Sequence, residues 1–212
     1  MRLSLIGMSG SGKSFWSSKL SEFGFNRFCC DELITARLSS ELRRKDGTGM
    51  ELGEWMGFPF DPGYETREAR YLSCEVDVLA GVLDRLENSD AEARENIVID
   101  TTGSVIYTGE ALLKRLKSLT TMVHFTSPPP AREEMLMEYM ARPRPVLWRG
   151  LFSRQPGEKE EDALRRCYEL LLNSRELLYQ DLADVELDYV RRRSPDFGIS
   201  DLLVLAGKKA GS

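Results

Sequence analysis

The feature that most constrains the fold is a glycine-rich run near the start of the chain, Gly7-Met8-Ser9-Gly10-Ser11-Gly12-Lys13-Ser14. It fits the pattern G-x-x-x-x-G-K-[ST], and it lies between an apolar stretch that predicts a strand and a stretch that predicts a helix. The glycines let backbone N–H groups turn inward toward phosphate oxygens, and the helix N-terminus adds a favourable dipole. The alternative, a glycine-rich turn with a chance lysine, leaves the strand–loop–helix context unexplained.

This run predicts a binding site for a nucleoside triphosphate with Mg²⁺; we expect ATP, and the run itself leaves GTP open. We expect Lys13 to contact the β- and γ-phosphates and the Ser14 hydroxyl to hold the metal ion. The predicted ATP-binding residues of the loop are Gly7, Ser9, Gly10, Ser11, Gly12, Lys13 and Ser14.

A second metal-side group is predicted at Asp100, which ends the apolar run 97–99. Enzymes with such a loop hold Mg²⁺ partly through an acidic residue at the end of a neighbouring strand. The polar turn 101–104 follows, at the carboxyl edge of the sheet where ligands of parallel α/β proteins bind. The alternative is that Asp100 forms a turn or caps a helix.

Short apolar runs alternate with longer amphipathic stretches, which is typical of a parallel α/β protein. Predicted strands cover residues 3–6, 25–30, 97–100, 122–125 and 185–189. Predicted helices cover residues 13–22, 32–43, 66–87, 109–116, 131–140, 160–182 and 199–205. We expect a three-layer α/β sandwich with a five-stranded parallel sheet in the order 2-3-1-4-5, which places the strand ending at Asp100 beside the strand before the loop.

We expect residues 1–212 to form a single domain, as this length allows. Three segments interrupt the alternation of strands and helices. Residues 45–64 are rich in glycine, proline and aromatic residues and predict an excursion on the acceptor side. Residues 142–159 combine prolines with arginines and predict a mobile lid, and residues 207–212 predict a tail.

Composition excludes several classes of function. The formal net charge is −5, from 29 basic and 34 acidic residues, which argues against a general nucleic-acid binder. No apolar run is long enough to cross a bilayer, and a first strand that begins at Leu3 leaves no room for a targeting peptide. The four cysteines have neither disulfide nor zinc spacing. We therefore expect a cytoplasmic protein without nucleic-acid or membrane partners, as a monomer or a weak homodimer.

A run near the end of the chain, Arg175-Glu176-Leu177-Leu178-Tyr179-Gln180-Asp181-Leu182-Ala183-Asp184, fits R-x-x-L-Y-x-x-x-A-D. Together with the glycine-rich loop, with Asp31 after the second predicted strand and with the segment 144–147, it resembles the shikimate kinase family. The resemblance covers nearly the whole chain in order, and the loop and this run are its specific motifs. It implies that ATP phosphorylates a hydroxyl group of a small molecule.

The resemblance also implies roles on the acceptor side. Asp31 would orient the acceptor hydroxyl, Gly103 would lie against the acceptor, and Arg175 would pair with an acceptor carboxylate, so an anionic acceptor is expected. The residues themselves leave alternatives open. Asp31 can be the N-cap of the next helix, and Arg175 can form an internal salt bridge with Asp181 or Asp184.

On the nucleotide side, the resemblance implies that Arg144 swings with the lid over the transferring phosphate. It also implies that Arg193 and Pro195, after the last strand, lie near the adenine. The arginines of the lid can alternatively be a solvated face, since most charge runs are.

The chain departs from the family pattern mainly on the acceptor side. Cys29 stands where the family has the first Asp of D-x-D, and Leu72 stands where it has an acceptor-binding arginine. Thr102 and Ser104 replace family glycines, and Asp100 is a candidate for the missing metal-side carboxylate. The phosphate-binding residues are thus retained while the acceptor pocket is altered.

Three functions are consistent with the sequence. The first is a small-molecule kinase similar to shikimate kinases. The second is a nucleoside or nucleotide kinase, in which Trp55 or Phe58 would stack on a base. The third is a non-catalytic nucleotide-binding regulatory protein. The only histidine, His124, is predicted to be a core residue of the fourth strand.

Overall fold

The computed structural model describes residues 1–44, 46–88 and 95–207. Five parallel strands form one sheet in the order β2-β3-β1-β4-β5. The strands are β1 (Arg2–Ile6), β2 (Asn26–Cys29), β3 (Ile97–Asp100), β4 (Thr121–Phe125) and β5 (Val185–Leu187). The predicted fold class and strand order are confirmed.

Eight helices connect and cover the strands in the described part of the chain. They are α1 (Lys13–Glu22), α2 (Cys30–Arg37), α3 (Leu52–Met56), α4 (Tyr64–Asn88), α5 (Glu110–Leu119), α6 (Pro129–Ala141), α7 (Glu160–Leu182) and α8 (Ile199–Gly207). Short 3₁₀ turns lie at Val105–Tyr107 and Arg191–Arg193. Within the described ranges, no helix combines the length and apolar character that a bilayer crossing requires.

The sheet is buried on both faces, so its central strands are mostly apolar, and the polar side chains of Ser4 in β1 and His124 in β4 are themselves fully buried. Leu3 and Leu5 of β1 point to one face, where they pack with Trp16 of α1. Ile6 of the same strand points to the other face, where α4 supplies Leu79 to a larger core. The period-two alternation of a strand therefore divides β1 between two hydrophobic cores.

The register of the strands brings functional positions to one edge. Asp100 of β3 pairs with Leu5 of β1 on one side and with Cys29 of β2 on the other. Because the strands are parallel, the loop after β1, the start of α2 after β2 and the turn after β3 all emerge at the carboxyl edge. The fold thus collects the loop, Asp31 and Asp100 from three separate stretches of sequence.

Several predicted boundaries were wrong. Helix α2 begins at Cys30 and ends at Arg37, whereas residues 32–43 were predicted. The N-cap of α2 is Cys29, so Asp31 lies inside the first turn and is not the cap. Helix α3 was not predicted, because a five-residue helix inside a stretch rich in glycine and proline has no periodicity to detect.

Strand β5 ends two residues earlier than predicted, since the chain turns after Leu187. Gly207, the first residue of the predicted tail, belongs to α8. Residues 208–212 of the predicted tail, and Lys45 at the start of the predicted excursion, lie outside the described residues.

Candidate functional site

The loop between β1 and α1 is built to receive an anion. Its residues Gly10 and Gly12 have φ of 85° and 94°, a left-handed conformation that glycine adopts without strain. No side chain caps the N-terminus of α1, and its first turn contains no acidic residue. The Ser11 hydroxyl is buried and has no hydrogen-bond partner among the described residues. Unpaired donors at a helix N-terminus are the groups that phosphate oxygens satisfy.

Lys13 lies folded over this loop. Its Nζ donates to the carbonyl oxygens of Gly7 and Met8, each at 2.8 Å. Burial lowers the pKa of Lys13, while the nearby carboxylates of Asp100 and Asp31 act in the opposite direction. The ammonium group is therefore held at the loop by weak neutral acceptors, which charged phosphate oxygens outcompete.

A cavity of about 770 Å³ opens above the loop. It is lined by Ser9, Gly10, Gly12, Lys13, Ser14, Phe15, Asp31, Thr35, Met50, Glu51, Leu52, Gly53, Gly103, Arg142, Pro143, Arg144 and Pro145. Most of the predicted site residues meet here, although they come from the loop, α2, the turn after β3 and the segment after α6. The cavity is large enough for a nucleotide and a small acceptor.

Asp31 faces this cavity from the first turn of α2. The Tyr71 hydroxyl donates to Asp31 Oδ1 at 3.1 Å and fixes the carboxylate. The protein atoms around the carboxylate raise the pKa of Asp31 by partial desolvation, and the charge of Lys13 acts in the opposite direction, while the residue stays open to the cavity. A fixed carboxylate beside the phosphate loop can accept a hydrogen bond from a hydroxyl group and, subsequently, its proton.

Arg144 lies directly over the loop. Its Nη1 is 2.6 Å from the place where a Cβ on Gly10 would be, and its Nη2 donates to Glu138 Oε2 at 2.7 Å. A guanidinium group at this position can contact a phosphate bound by the loop, while Glu138 holds the other nitrogen.

Asp100 is buried at the end of β3 and does not line the cavity. Its Oδ2 accepts hydrogen bonds from the Ser17 hydroxyl at 2.9 Å and from Arg27 Nη2 at 3.3 Å. Among the described residues, no group of three or more His, Cys, Asp or Glu side chains is arranged to hold a metal ion. Of the two residues predicted to hold Mg²⁺, Ser14 lines the cavity, whereas Asp100 is bound to Ser17 and Arg27 behind it.

Arg175 is buried behind the cavity rather than in its lining. Its guanidinium donates to the carbonyl oxygens of Gly103, at 2.9 Å, and Leu147, and it lies 5.3 Å from the Tyr107 ring centroid. Asp184, one proposed salt-bridge partner, accepts instead from the backbone N–H of Met122. The arginine therefore ties the turn after β3 to the segment after α6.

Gly103 is the point at which the turn after β3 meets the glycine-rich loop. A Cβ at Gly103 would lie 2.7 Å from the Ser9 backbone nitrogen, so the turn after β3 packs directly against the loop. Its carbonyl oxygen accepts from Arg175 and from the Tyr179 hydroxyl.

The structure does not place Arg193 or Pro195 in the lining of the cavity. Arg193 is exposed and stacks on Tyr189, with 4.4 Å from its Cζ to the ring centroid. Its neighbour Arg192, which sequence reasoning missed, is buried and donates to the carbonyl oxygen of Ser11 at 3.1 Å. The run of three arginines after β5 was the available signal, but it does not reveal which one turns inward.

A second missed residue is Glu75 of α4. The carboxylate is buried and accepts hydrogen bonds from the hydroxyls of Thr102 and Ser104, which flank Gly103. Burial raises the pKa of Glu75 to about 7, although both hydrogen bonds act to lower it. The replacement of two family glycines by hydroxyl residues was the signal for this cluster.

The candidate base-stacking residues lie elsewhere. Phe58 stacks on Phe60 with 5.3 Å between ring centroids, and neither Phe58 nor Trp55 lines the cavity. His124 is fully buried, as predicted, and burial lowers its pKa to about 4. Both ring nitrogens lack a hydrogen bond within the described residues.

No protein-family model matches the chain, and no curated protein matches it. Solved structures do match. The shikimate kinase of Aquifex aeolicus aligns over 100% of both chains with a TM-score of 0.60 and 22% identity. The shikimate kinase of Acinetobacter baumannii in complex with shikimate aligns over 99% of this chain and 90% of its own, with a TM-score of 0.56 and 21% identity.

The dephospho-CoA kinase of Campylobacter jejuni also matches, over 99% of this chain and 95% of its own, with a TM-score of 0.51 and 12% identity. At these identities the similarity establishes the fold and leaves the substrate open. The chain has the fold of the P-loop kinases, and the resemblance to shikimate kinases that the sequence indicated extends to its three-dimensional structure.

Proposed function

We propose that this protein transfers the γ-phosphoryl group of ATP to a hydroxyl group of a small molecule. The observation that carries the proposal is the meeting of Lys13, Arg144 and Asp31 around one cavity at an uncapped helix N-terminus. Two cations face the phosphate side, and one fixed carboxylate faces the space beside it. A nucleotide-binding site without acceptor chemistry has no need of the carboxylate.

In the proposed reaction the acceptor oxygen attacks the γ-phosphorus in line, and ADP leaves. The loop amides, Lys13 and Arg144 bind the phosphates and share the negative charge of the transition state. Asp31 orients the attacking hydroxyl and takes its proton as the new bond forms. Ser14 would hold Mg²⁺, with Asp100 as the nearby acidic residue, and the ion would supply charge neutralisation at the phosphates. Positioning and charge neutralisation supply most of the rate.

The acceptor is defined by the remaining walls of the cavity. Thr35, Met50 and Leu52 add a hydroxyl and two apolar side chains to the side of Asp31, and the rim carries Glu51. Arg142 is the cation nearest in sequence to Arg144, but its Nη2 is engaged by Glu51 at 2.8 Å. One solved relative by fold binds shikimate, so a cyclic hydroxy acid is the first acceptor to test.

The test measures ADP release with Mg²⁺-ATP and a panel of acceptors that includes shikimate, other hydroxy acids and nucleosides. Lys13→Ala removes the charge that neutralises the β- and γ-phosphates, and we expect it to lower the rate by 100-fold or more, on the order of 3 kcal/mol of lost transition-state stabilisation. Lys19→Ala, in the same helix but exposed, is the matched control and should leave the rate unchanged.

Nucleotide binding without acceptor-dependent ADP release, across the whole panel, would favour the regulatory alternative. Release with nucleosides alone would favour a nucleoside kinase. An Lys13→Ala variant with the wild-type rate would refute the site itself.

A further inference from the structure

The segment that follows Arg144 is buried, although its prolines and arginines predicted a mobile lid. Val146, Leu147 and Trp148 are 4%, 0% and 1% exposed, and they belong to the larger hydrophobic core. Burying three consecutive apolar side chains stabilises a segment by several kcal/mol, which a freely moving lid would forfeit.

Two residues at the start of α4 bind the backbone of this segment. The Tyr64 hydroxyl lies 2.6 Å from the Val146 carbonyl oxygen and accepts a hydrogen bond from the Trp148 backbone N–H at 3.0 Å. Glu68 Oε1 accepts from the Arg149 backbone N–H at 2.9 Å and lies 3.0 Å from the Tyr64 hydroxyl. Both side chains are buried, so each of these hydrogen bonds is protected from water.

Helices α6 and α7 also bind this segment. Arg175 of α7 donates to the Leu147 carbonyl oxygen. The Trp148 indole Nε1 donates to the Tyr139 hydroxyl of α6 at 3.3 Å. On the cavity side, a side chain at Gly53 of α3 would collide with the backbone at Pro143, so α3 is in direct backbone contact with the chain just before this segment.

The backbone turns sharply where this segment ends. Arg149 has φ of 52° and Gly150 has φ of 75°, so two consecutive residues are left-handed. For a residue with a Cβ this conformation costs roughly 1–2 kcal/mol, and it persists only where the surroundings impose it. The Arg149 N–H donates to Glu68 in this conformation, so the hydrogen bond is one of the contacts that hold the turn.

We propose that Tyr64 and Glu68 are positioning residues that hold residues 146–149 in place and thereby keep Arg144 over the phosphate loop before any nucleotide binds. The inference rests on the proposed function, because it gives Arg144 its phosphate-binding role. It replaces a swinging arginine with a fixed one. A preformed cation avoids the cost of ordering a flexible side chain and its backbone at the moment of binding.

The first experiment measures amide hydrogen exchange of Trp148 and Arg149 in the nucleotide-free protein. Tyr64→Phe removes only the hydroxyl, and we expect Trp148 exchange to accelerate by about tenfold or more. Glu68→Ala should accelerate Arg149 exchange, and Glu68→Gln, which keeps an acceptor oxygen, should largely restore it. Tyr168→Phe is the matched control, because its ring packs on Trp148 while its hydroxyl binds no backbone group of residues 146–149 within the described chain.

The second experiment tests whether the effect acts through Arg144. In the wild-type background, Tyr64→Phe should weaken Mg²⁺-ATP binding several-fold and Mg²⁺-ADP binding less, since only ATP carries the phosphate nearest to Arg144. In an Arg144→Ala background, Tyr64→Phe should have no further effect on either nucleotide.

Equal Tyr64→Phe effects in both backgrounds, or unchanged exchange of Trp148, would overturn the proposal. The exchange experiment needs no nucleotide. Unchanged exchange in a protein that binds Mg²⁺-ATP would therefore defeat the positioning role alone, whereas a protein that binds no nucleotide would defeat the proposed function.

Discussion

Buried charge at single residues has measurable consequences in this molecule. Glu75 is held by the hydroxyls of Thr102 and Ser104 and lies close enough to Asp31 for the two carboxylates to repel each other. The two donors stabilise its charged form but do not compensate for the loss of water around it. The turn that carries Gly103 is therefore bound to a buried carboxylate whose pKa is raised to about 7.

The first prediction concerns pH. Because the pKa of Glu75 is raised from 4.5 to about 7, the folded protein binds more protons than the unfolded chain between these values. The contribution of Glu75 to the unfolding free energy is therefore highest below pH 4.5, falls as pH rises, and levels off above pH 7. The fall is on the order of 3 kcal/mol. Urea unfolding from pH 5 to pH 8 should show a smaller pH dependence for Glu75→Gln, and parallel profiles would contradict this.

The second prediction concerns Gly103. In Gly103→Ala the new methyl group would press on the Ser9 backbone nitrogen and displace the loop. We expect Mg²⁺-ATP binding to weaken at least tenfold, measured by calorimetry. Gly81→Ala in α4 adds the same methyl group in open space and should leave binding unchanged. If both variants bind alike, the close approach is not important for the site.

At the scale of secondary-structure elements, one arginine connects three separate stretches of the chain. Arg192, in the turn after β5, donates to the carbonyl oxygens of Leu187, Ser11 and Thr126 at 3.1, 3.1 and 2.9 Å. It thereby connects the end of β5, the phosphate loop and the chain after β4. Burial lowers its pKa to about 10, so it remains charged at neutral pH.

The third prediction tests this connection. Arg192→Gln cannot reach three carbonyl groups, so we expect the unfolding free energy to fall by roughly 2–3 kcal/mol and ATP binding to weaken. Arg191→Gln, the exposed neighbour that stacks on Phe197, should change stability by less than about 0.5 kcal/mol. Equal losses in denaturant unfolding would show that Arg192 has no special connecting role.

At the scale of the whole molecule, β1 is the strand on which stability depends. It pairs with β3 and β4 and contributes side chains to both hydrophobic cores. A cavity opened in this strand has few ways to collapse, because neighbours surround it on all sides.

The fourth prediction follows from that position. Leu5→Ala should lower the unfolding free energy by about 2–5 kcal/mol in a denaturant titration, since Leu5 is fully buried. Leu177→Ala on α7, where the leucine is 65% exposed, is the control and should change it by less than about 0.5 kcal/mol. A small loss at Leu5 would mean that the two cores adapt to the missing side chain.

The sequence was informative where the signal is local. The glycine-rich loop and the apolar runs specify β1, α1 and the approximate positions of the strands, because phosphate loops and buried strands have strict local requirements, and the strand order followed from the fold class that they indicate. The sequence was uninformative about contacts between residues that lie far apart in the chain. Nothing near Arg175 indicates that it binds Leu147, and nothing near Tyr64 indicates that it holds Trp148. Those contacts exist only after α4, α6 and α7 have packed.

The strand order β2-β3-β1 also fixes a distance at the carboxyl edge of the sheet. Adjacent strands lie about 4.8 Å apart, so the carboxyl ends of β2, which precedes Asp31, and of β1, which precedes the glycine-rich loop, are roughly 10 Å apart, two strand spacings. In the proposed reaction the acceptor hydroxyl and the phosphate would have to meet within this span. The spacing of the strands, which backbone hydrogen bonding fixes, thereby sets how far apart the two partners of the proposed reaction are held.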